Sequence, residues 1–187
     1  MASRPRNSPF SEWAGLPPRS GIGARRLRDD GHIVADGPTS LLLDDEAFEG
    51  SDGRGIATAL KAAVSQGKYD LILTGAQADD GAGQVGGMLA AMLDVPYASV
   101  VNFIEILDDT KLKVGREIEG GNQELNEIDL PCVLSIQTGI NEPRYVGIRG
   151  IRKVASVEIP VWGASDLGID AGAVGQAGAR AKRLDYF

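Results

Sequence analysis

One stretch limits the possible folds of this chain more than any other, because a strand, a glycine-rich turn and a helix follow one another in residues 69–92. Residues 71–73 read Leu-Ile-Leu, an apolar run typical of a parallel strand that is covered on both faces. The glycines of the turn are Gly75, Gly81 and Gly83. The apolar residues of the helix recur at helical spacing, at Val85, Met88, Leu89 and Met92.

The start of this predicted helix is a candidate anion site. The backbone N–H groups of residues 84–87 have no acceptor within the helix, and the helix dipole adds to their attraction for a phosphate. The stretch has neither the GxxxxGK[ST] motif nor the GxGxxG spacing of known phosphate loops. The residues alone therefore leave two interpretations open, a phosphate-binding corner and a plain strand-to-helix connection.

The length and charge of the chain exclude several classes of protein. With 187 residues, we expect one domain with appendages. The formal charge of −7 argues against a general nucleic-acid binder. No apolar run reaches the roughly 18–20 residues of a membrane-spanning helix, and no signal-peptide core precedes a small-residue cleavage site. The single cysteine, Cys132, lies in the apolar run PCVLSI, which predicts a buried thiol.

Residues 1–37 differ from the rest of the chain. They are rich in proline and arginine and show little periodicity, which predicts a flexible segment. An organelle transit peptide is the alternative, but no long basic amphipathic face is evident, so we favour a prokaryotic cytoplasm over the mitochondrial matrix. His32, the only histidine, has no second histidine or cysteine at ligand spacing, and no metal site is predicted.

A repeating strand and helix pattern begins after this segment. Residues 40–43 predict a short strand, and residues 55–66 predict a helix that ends before Gly67. The helix face that we expect to be buried consists of Ile56, Leu60, Ala63 and Val64. Because strands and helices then alternate, we expect a parallel sheet with helices on its faces and a ligand at the carboxyl ends of its strands. Residues 75–83 lie at that edge.

Alternating polar and apolar residues follow the second helix. The expected strands cover residues 97–106, 111–118 and 124–128. Turns are expected at the pairs Asp108-Asp109 and Gly120-Gly121, so these strands predict a β-meander. Residues 131–138 then return as a buried strand of the central sheet.

Two segments near the C-terminus stand apart. Residues 141–161 concentrate positive charge in an acidic chain, at Arg144, Arg149, Arg152 and Lys153. They fit either a solvated loop with a short helix or a docking surface, since Ile148 and Ile151 lie among the charges. Residues 163–187 have small side chains and no strong core face, which predicts an extended arm that becomes ordered on a partner.

Four motifs converge on one family: LTGAQADDGAGQVGGM, VGREIEGGNQEL, LPCVLSIQTGINEPRYVGIRGIRK and DLGID. Together they resemble the β subunit of electron transfer flavoprotein, and the NEPRY element with the preceding REIEGG is the most specific part. The resemblance implies an α/β fold, a Rossmann-like three-layer α/β/α parallel sheet of the adenine nucleotide alpha hydrolase-like type with an inserted β-meander. The expected divisions are a flexible segment unlike the family (1–37), a nucleotide-binding α/β domain (38–162) and a C-terminal arm (163–187).

The resemblance also implies a function, cofactors and partners. Such a subunit forms a heterodimer with an alpha subunit, FAD lies at their interface, and the β subunit buries AMP, or a second FAD if the complex bifurcates electrons. Electrons pass from an acyl-CoA-type dehydrogenase to a quinone reductase or a ferredoxin-linked acceptor. The flavin carries the electrons while the protein binds and orients it, so the chain is expected to be an electron carrier without catalytic residues of its own.

The resemblance assigns roles to individual residues. It places the phosphate-holding loop at Gly75, Gln77, Ala78, Asp80, Gly83, Gln84 and Val85. We expect Asp79 and Asp80 to shape this loop through hydrogen bonds to the backbone, because a carboxylate opposes an anion. The partner-docking residues are Ile148, Arg149 and Lys153. Ile148 is the expected aliphatic anchor, since an apolar side chain within a polar rim is typical of a binding hot spot, and internal packing is the alternative.

Three departures from the family pattern set this chain apart. Nothing before residue 38 resembles the family's first strand, which forms part of the adenine pocket, and family members continue past Phe187. Gly83 stands where many relatives have a side chain that bonds the phosphate. We therefore expect a shortened copy in which nucleotide binding is weakened or absent.

Three rival functions complete the expectations. An enzyme that cleaves adenine nucleotides would need a phosphate-loop lysine, or a serine- and glycine-rich loop with a catalytic acid, and residues 75–87 have neither. The meander and the NEPRY segment disfavour a homodimeric nucleotide-binding module of the regulatory or stress type. A truncated, non-functional copy is the third rival.

Overall fold

The computed structural model describes residues 26–27, 33–34, 41–77, 82–142, 148–149 and 158–181. Its strands are β1 (Arg26–Leu27), β2 (Ile33–Val34), β3 (Leu42–Leu43), β4 (Leu71–Gly75), β5 (Tyr97–Asp108), β6 (Lys111–Ile118), β7 (Asn122–Asp129), β8 (Cys132–Ile136) and β9 (Val161–Trp162). Its helices are α1 (Gly53–Val64), α2 (Val85–Leu93) and the short α3 (Gly175–Gly178). Single 3-10 turns lie at Glu46–Phe48, Glu119–Gly121 and Ala171–Ala173.

The central sheet joins the parallel strands to the meander. Its strand order is β4-β8-β5-β6-β7. Strands β4, β8 and β5 run parallel, and β5, β6 and β7 are antiparallel neighbours. The turn between β6 and β7 uses Gly120 and Gly121, whose φ angles of 75° and 73° suit glycine. The predicted α/β fold is confirmed, and the meander strands cover the residues expected for them.

Two further strand pairs lie apart from this sheet. Strand β3, which we expected in the parallel sheet, instead pairs with β9, and Leu42 lies opposite Val161. Strand β9 has only two residues and gives no periodic signal. In residues 1–37 the structure describes only β1 and β2, which pair antiparallel, so the prediction of flexibility falls mostly outside the described residues. No described helix is long and apolar enough to cross a membrane.

Strand β5 belongs to both halves of the central sheet. Its first residues pair with β8 and its later ones pair with β6, and the register shifts between Ala98 and Val101. Val100, at this change of partner, has a φ of 54°, which is unusual for a β-branched residue. The Arg116 side chain holds the irregular backbone, because its Nε donates to the Ser99 carbonyl at 3.1 Å. This irregularity, termed the kink here, lies where β5 passes from the parallel strands to the meander.

One cluster of the hydrophobic core includes residues of both the meander and the parallel strands. Its buried residues are Ala98, Val101, Leu112, Val114, Cys132 and Leu134. Leu134 is 0% exposed, and its strand neighbour Ser135 points to the opposite face of β8, toward α2. Burial raises the pKa of the Cys132 thiol to about 12. The predicted burial of Cys132 is confirmed.

Helix α1 corresponds to the first predicted helix but buries different residues. It packs against α2, and its buried positions are Gly55, Ala57, Ala59, Ala63 and Val64. Ile56, which was expected on the buried face, is 43% exposed, and Leu60 is half-buried. The expectation was wrong at these two positions because the helix packs mainly through small side chains, whereas sequence periodicity gives most weight to large ones.

Candidate functional site

The carboxyl end of β4 and the N-termini of α1 and α2 form one corner of the molecule. Strand β4 ends at Gly75, and α2 begins ten residues later along the chain. A Cβ on Gly53, the first residue of α1, would lie 3.7 Å from the Gln84 Cβ and 3.9 Å from a Val85 methyl group. The positive ends of two helix dipoles therefore adjoin at the sheet edge where α/β proteins bind ligands.

The two helix N-termini are capped differently. The Asp52 carboxylate accepts a hydrogen bond from the Gly55 N–H of α1 at 2.9 Å. Helix α2 has Gln84 at its N-cap position, and that side chain makes no capping hydrogen bond. The first backbone bond within α2 runs from the Met88 N–H to the Gln84 carbonyl at 3.0 Å. The N–H groups of the first turn of α2 are thus suited to an external acceptor such as a phosphate.

A glycine fixes the position of α2 on the sheet. A Cβ on Gly86 would lie 2.6 Å from the Thr74 Oγ1 and 3.1 Å from the Ser135 Oγ. Ser135 is 2% exposed, and its hydroxyl shares a 2.5 Å hydrogen bond with the Tyr97 hydroxyl. Thr74 in turn donates to the Leu134 carbonyl at 3.4 Å. The first turn of α2 therefore rests directly on a small group of hydroxyls.

The buried face of α2 differs in part from the predicted one. Leu89 is buried as expected, but Val85, Met88 and Met92 are only half-buried. The other buried positions are Gly86 and Ala90. The sequence analysis missed Gly86, Tyr97 and Ser135 as residues that position the corner. The pair Gly86-Gly87 at the helix start was the available signal, since glycine is disfavoured inside helices unless a close contact requires it.

The structure places most of the predicted phosphate-loop residues at this corner. Those that it describes are Gly75, Gln77, Gly83, Gln84 and Val85, whereas Ala78 and Asp80 lie outside the described residues, as does Asp79. No described heavy atom lies within 4 Å of a Cβ built on Gly75, so the backbone is open there. Gly83 has a φ of 67°, a left-handed backbone conformation that suits glycine.

The predicted docking residues are described only in part. Ile148 and Arg149 are both exposed, and Ile148 retains 68% of its accessible surface. Lys153 lies outside the described residues. Internal packing of Ile148 is therefore not observed, and its docking role stays a prediction.

The described chemical groups at the corner are mainly backbone N–H groups and hydroxyls. Within the described ranges, no cluster of histidine, cysteine, aspartate or glutamate side chains is arranged to hold a metal ion. Ser135 is the only buried polar side chain found in these ranges, and it is hydrogen-bonded. The corner can supply backbone donors to an anion from rigid elements.

The fold and the corner define an α/β protein with two helix N-termini at one edge of its sheet, and sequence comparison identifies its family. A family model described as the electron transfer flavoprotein domain matches residues 27–167. The chain belongs to this family and resembles its β subunits.

Curated relatives agree with this assignment. The chain is 36% identical over 144 residues to electron transfer flavoprotein subunit beta of Methylophilus methylotrophus, which covers 75% of the chain and 54% of the relative. It is 38% identical over 138 residues to the Caffeyl-CoA reductase-Etf complex subunit CarD of Acetobacterium woodii, covering 73% and 52%. The subunit beta of Thermoanaerobacterium thermosaccharolyticum is also 38% identical, over 145 residues, covering 76% and 55%. The chain thus spans about half the length of these relatives.

Proposed function

We propose that this chain acts as the β subunit of an electron transfer flavoprotein. Together with an alpha subunit it holds FAD, which carries electrons from a donor dehydrogenase to a quinone reductase or a ferredoxin-linked acceptor. Family membership over residues 27–167 supports the proposal. The name of the Acetobacterium woodii relative places that protein in a complex with a caffeyl-CoA reductase, so an acyl-CoA-type dehydrogenase is the proposed donor here.

The observation that carries the proposal is the meeting of two helix N-termini at the carboxyl end of β4. A phosphate at this corner would accept hydrogen bonds from the Gln84 and Val85 N–H groups and gain from both helix dipoles. Gly75 leaves room beside it, since no described heavy atom lies within 4 Å of its Cβ position. The corner therefore fits the phosphate end of an adenine nucleotide, proposed to be AMP, or a second FAD in a bifurcating complex.

The proposed role of the chain is to bind and orient. Flavin supplies the electron chemistry when it is bound, and the chain contributes no bond-making step. Gly86 seats the first turn of α2 against the Thr74 and Ser135 hydroxyls, so the phosphate donors are held by packed elements. Donors fixed in advance bind a ligand with a smaller ordering cost.

Ile148 is the proposed anchor for the donor dehydrogenase. Its side chain is 68% exposed, and the next residue, Arg149, is also exposed, so an exposed apolar residue is followed directly by an exposed charged one. Such a side chain gains most when it enters a pocket on a partner. Lys153 is proposed to contribute a positive charge beside this anchor.

Co-expression with an alpha subunit tests the carrier function. The expected product is a yellow heterodimer that contains FAD and releases an additional adenine nucleotide on denaturation. The control is the same chain expressed alone and supplied with FAD. A colourless product in which the two chains elute separately would contradict the proposal.

The docking role is tested by Ile148→Ala in that complex. Electron transfer from the dehydrogenase should slow while flavin content is unchanged, because the proposed anchor binds the dehydrogenase and not the flavin. Leu125→Ala is the matched control, since Leu125 is also an exposed apolar residue, at 54%. Equal rates for the two variants would refute the anchor.

A further inference from the structure

The C-terminal residues 163–181, termed the strap here, lie against residues 44–52, termed the acidic turn. The Ala164 N–H donates to an Asp45 carboxylate oxygen at 2.8 Å. Further along, the Gly175 N–H donates to the Ser51 Oγ at 2.7 Å, and the Gln176 N–H donates to the Glu49 carbonyl at 3.0 Å. The strap, expected as an arm on a partner, is thus attached to its own chain.

The strap and the acidic turn are in close contact. Val174 of the strap is 0% exposed. Gly175 has a φ of 61°, and a Cβ there would overlap the Ala47 carbonyl oxygen. Gly50 has a φ of 73°, and a Cβ there would overlap the Gln176 side chain. Both contacting segments therefore depend on glycine for their close approach.

Asp52 joins the end of the strap to the nucleotide corner. One oxygen of its carboxylate caps α1 through the Gly55 N–H, and the other accepts from the Arg180 and Ala181 N–H groups at 2.8 and 3.1 Å. These hydrogen bonds, led by that from Gly55, lower the pKa of the carboxyl group. A single side chain thus holds both the strap and the first turn of α1.

The first turn of α1 lies beside the residues that begin α2, because the two helices pack together. Gly53 follows Asp52 directly, and a Cβ added to it would lie within 4 Å of side-chain atoms of Gln84 and Val85. A chain of contacts therefore leads from the strap, through Asp52 and Gly53, to the start of α2. Ordering one end of such a chain lowers the entropy cost of ordering the other.

We propose that the strap regulates the nucleotide corner: when docked on Asp52 it fixes the first turn of α1, and the corner binds an adenine nucleotide phosphate more tightly. This inference rests on the proposed function, because it requires a nucleotide at the corner. Since coupling between two sites is reciprocal, nucleotide binding also holds the strap in place. The expected coupling is on the order of five-fold in affinity, the lower end of the usual range.

Hydrogen exchange of the full chain with and without saturating AMP tests the reciprocal effect. AMP should slow exchange about five-fold at the strap amides of Gly175, Gln176, Arg180 and Ala181, while the meander amides stay unchanged. Measured AMP binding with unchanged strap exchange would overturn the coupling and leave the proposed function intact. A failure to bind AMP or FAD at all would overturn both.

A pair of variants at one position tests the direct effect. Arg180→Pro removes one N–H donor to Asp52 and keeps the Asp52 charge, and Ala179 already has the extended conformation that precedes proline, with φ −69° and ψ 127°. Arg180→Ala removes the same side chain and keeps the donor. Arg180→Pro should raise the dissociation constant for AMP about five-fold relative to Arg180→Ala.

Two results would contradict the regulation. The first is an equal dissociation constant in both variants when exchange shows that proline has released the strap. The second is an equal loss of affinity in both, which would assign the effect to the arginine side chain. Circular dichroism of both variants confirms that the rest of the chain is folded, so that a change in affinity reports on the strap.

Discussion

The two faces of strand β8 are built from different kinds of contact. Toward the meander, Leu134 lies in a cluster of fully buried apolar side chains that includes Leu112 and Val114. Toward α2, Ser135 contributes a hydroxyl, and the helix approaches through the backbone of Gly86. The apolar face buries more hydrophobic surface, and the polar face brings backbone donors close to the sheet edge.

This difference suggests a division of roles between the meander side and the corner. Burial of branched side chains contributes most of the stability of a small domain. Close contacts through glycine and hydroxyls contribute less but fix direction, as preorganised binding requires. Changes on the meander side should therefore alter stability alone, whereas changes at the corner should alter nucleotide binding as well.

The largest effect is expected from Leu134→Ala on the meander side. Removing this side chain, which is 0% exposed, should lower the free energy of unfolding by about 2–5 kcal/mol, since it leaves a cavity. Urea denaturation measures the loss, and the AMP affinity of the folded protein should not change. Leu125→Ala is the control, with a change within about 0.5 kcal/mol, because Leu125 is exposed. Equal losses would contradict the assignment of the core.

The second largest effect is expected from Gly86→Ala, which should lower both the free energy of unfolding and the affinity for AMP. Its Cβ would lie 2.6 Å from the Thr74 Oγ1, so crowding should cost about 1–3 kcal/mol, offset by about 0.5–1 kcal/mol of helix propensity. AMP affinity should also fall, because α2 moves. Gly87→Ala is the control: its Cβ would lie 3.4 Å from the Tyr97 ring, and the variant should be slightly stabilised. Unchanged AMP affinity in Gly86→Ala would break the proposed division.

Alkaline pH should lower the free energy of unfolding, because the Cys132 thiol of the meander side is buried. Folding raises the pKa of Cys132 from 9.0 to about 12, so its contribution is complete below pH 9 and is lost as pH rises toward 12. The loss should be about 1 kcal/mol at pH 10, because only the unfolded state ionises. Urea denaturation at pH 8 and 10 measures it. Cys132→Ala should show a flatter pH profile, and an identical slope would contradict this explanation.

The smallest effect is expected at the kink in β5. Arg116 donates to the Ser99 carbonyl and pairs with Glu124 at 3.0 Å, so Arg116→Ala should cost about 0.5–1 kcal/mol, given its partial exposure. Lys113→Ala breaks only the exposed 3.9 Å pair with Glu105 and should have almost no effect. Equal thermal unfolding temperatures for the two variants would contradict the role of Arg116 in stabilising the kink.

Local patterns in the sequence were sufficient to predict the meander. Alternation of polar and apolar residues predicts β6, and the pair Gly120-Gly121 predicts the turn that follows it. Both signals are local, because each lies in the residues that form the strand or the turn. The strand, turn and helix of residues 69–92 were predicted for the same reason. The local pattern indicated a candidate anion site at residues 84–87, and the resemblance to the family added the other residues of the proposed phosphate loop.

The contacts that complete the corner could not be predicted because they join distant residues. Asp52 accepts hydrogen bonds from residues more than 120 positions later, and nothing in the acidic turn indicates this. The pairing of β3 with β9 could not be predicted for the same reason, since it joins distant segments through only two residues of each strand. Ile56 was predicted to be buried because periodicity gives most weight to large side chains, whereas α1 packs mainly through alanines.

An NMR titration of the folded chain with AMP tests the central claim most directly, since it reports on both faces of β8 at once. The account predicts saturable shifts of the Gln84, Val85 and Gly86 amide signals, with the Leu112 and Val114 signals of the meander unchanged. Absence of any saturable shift, or shifts confined to the meander, would contradict the assignment of the corner as the nucleotide site.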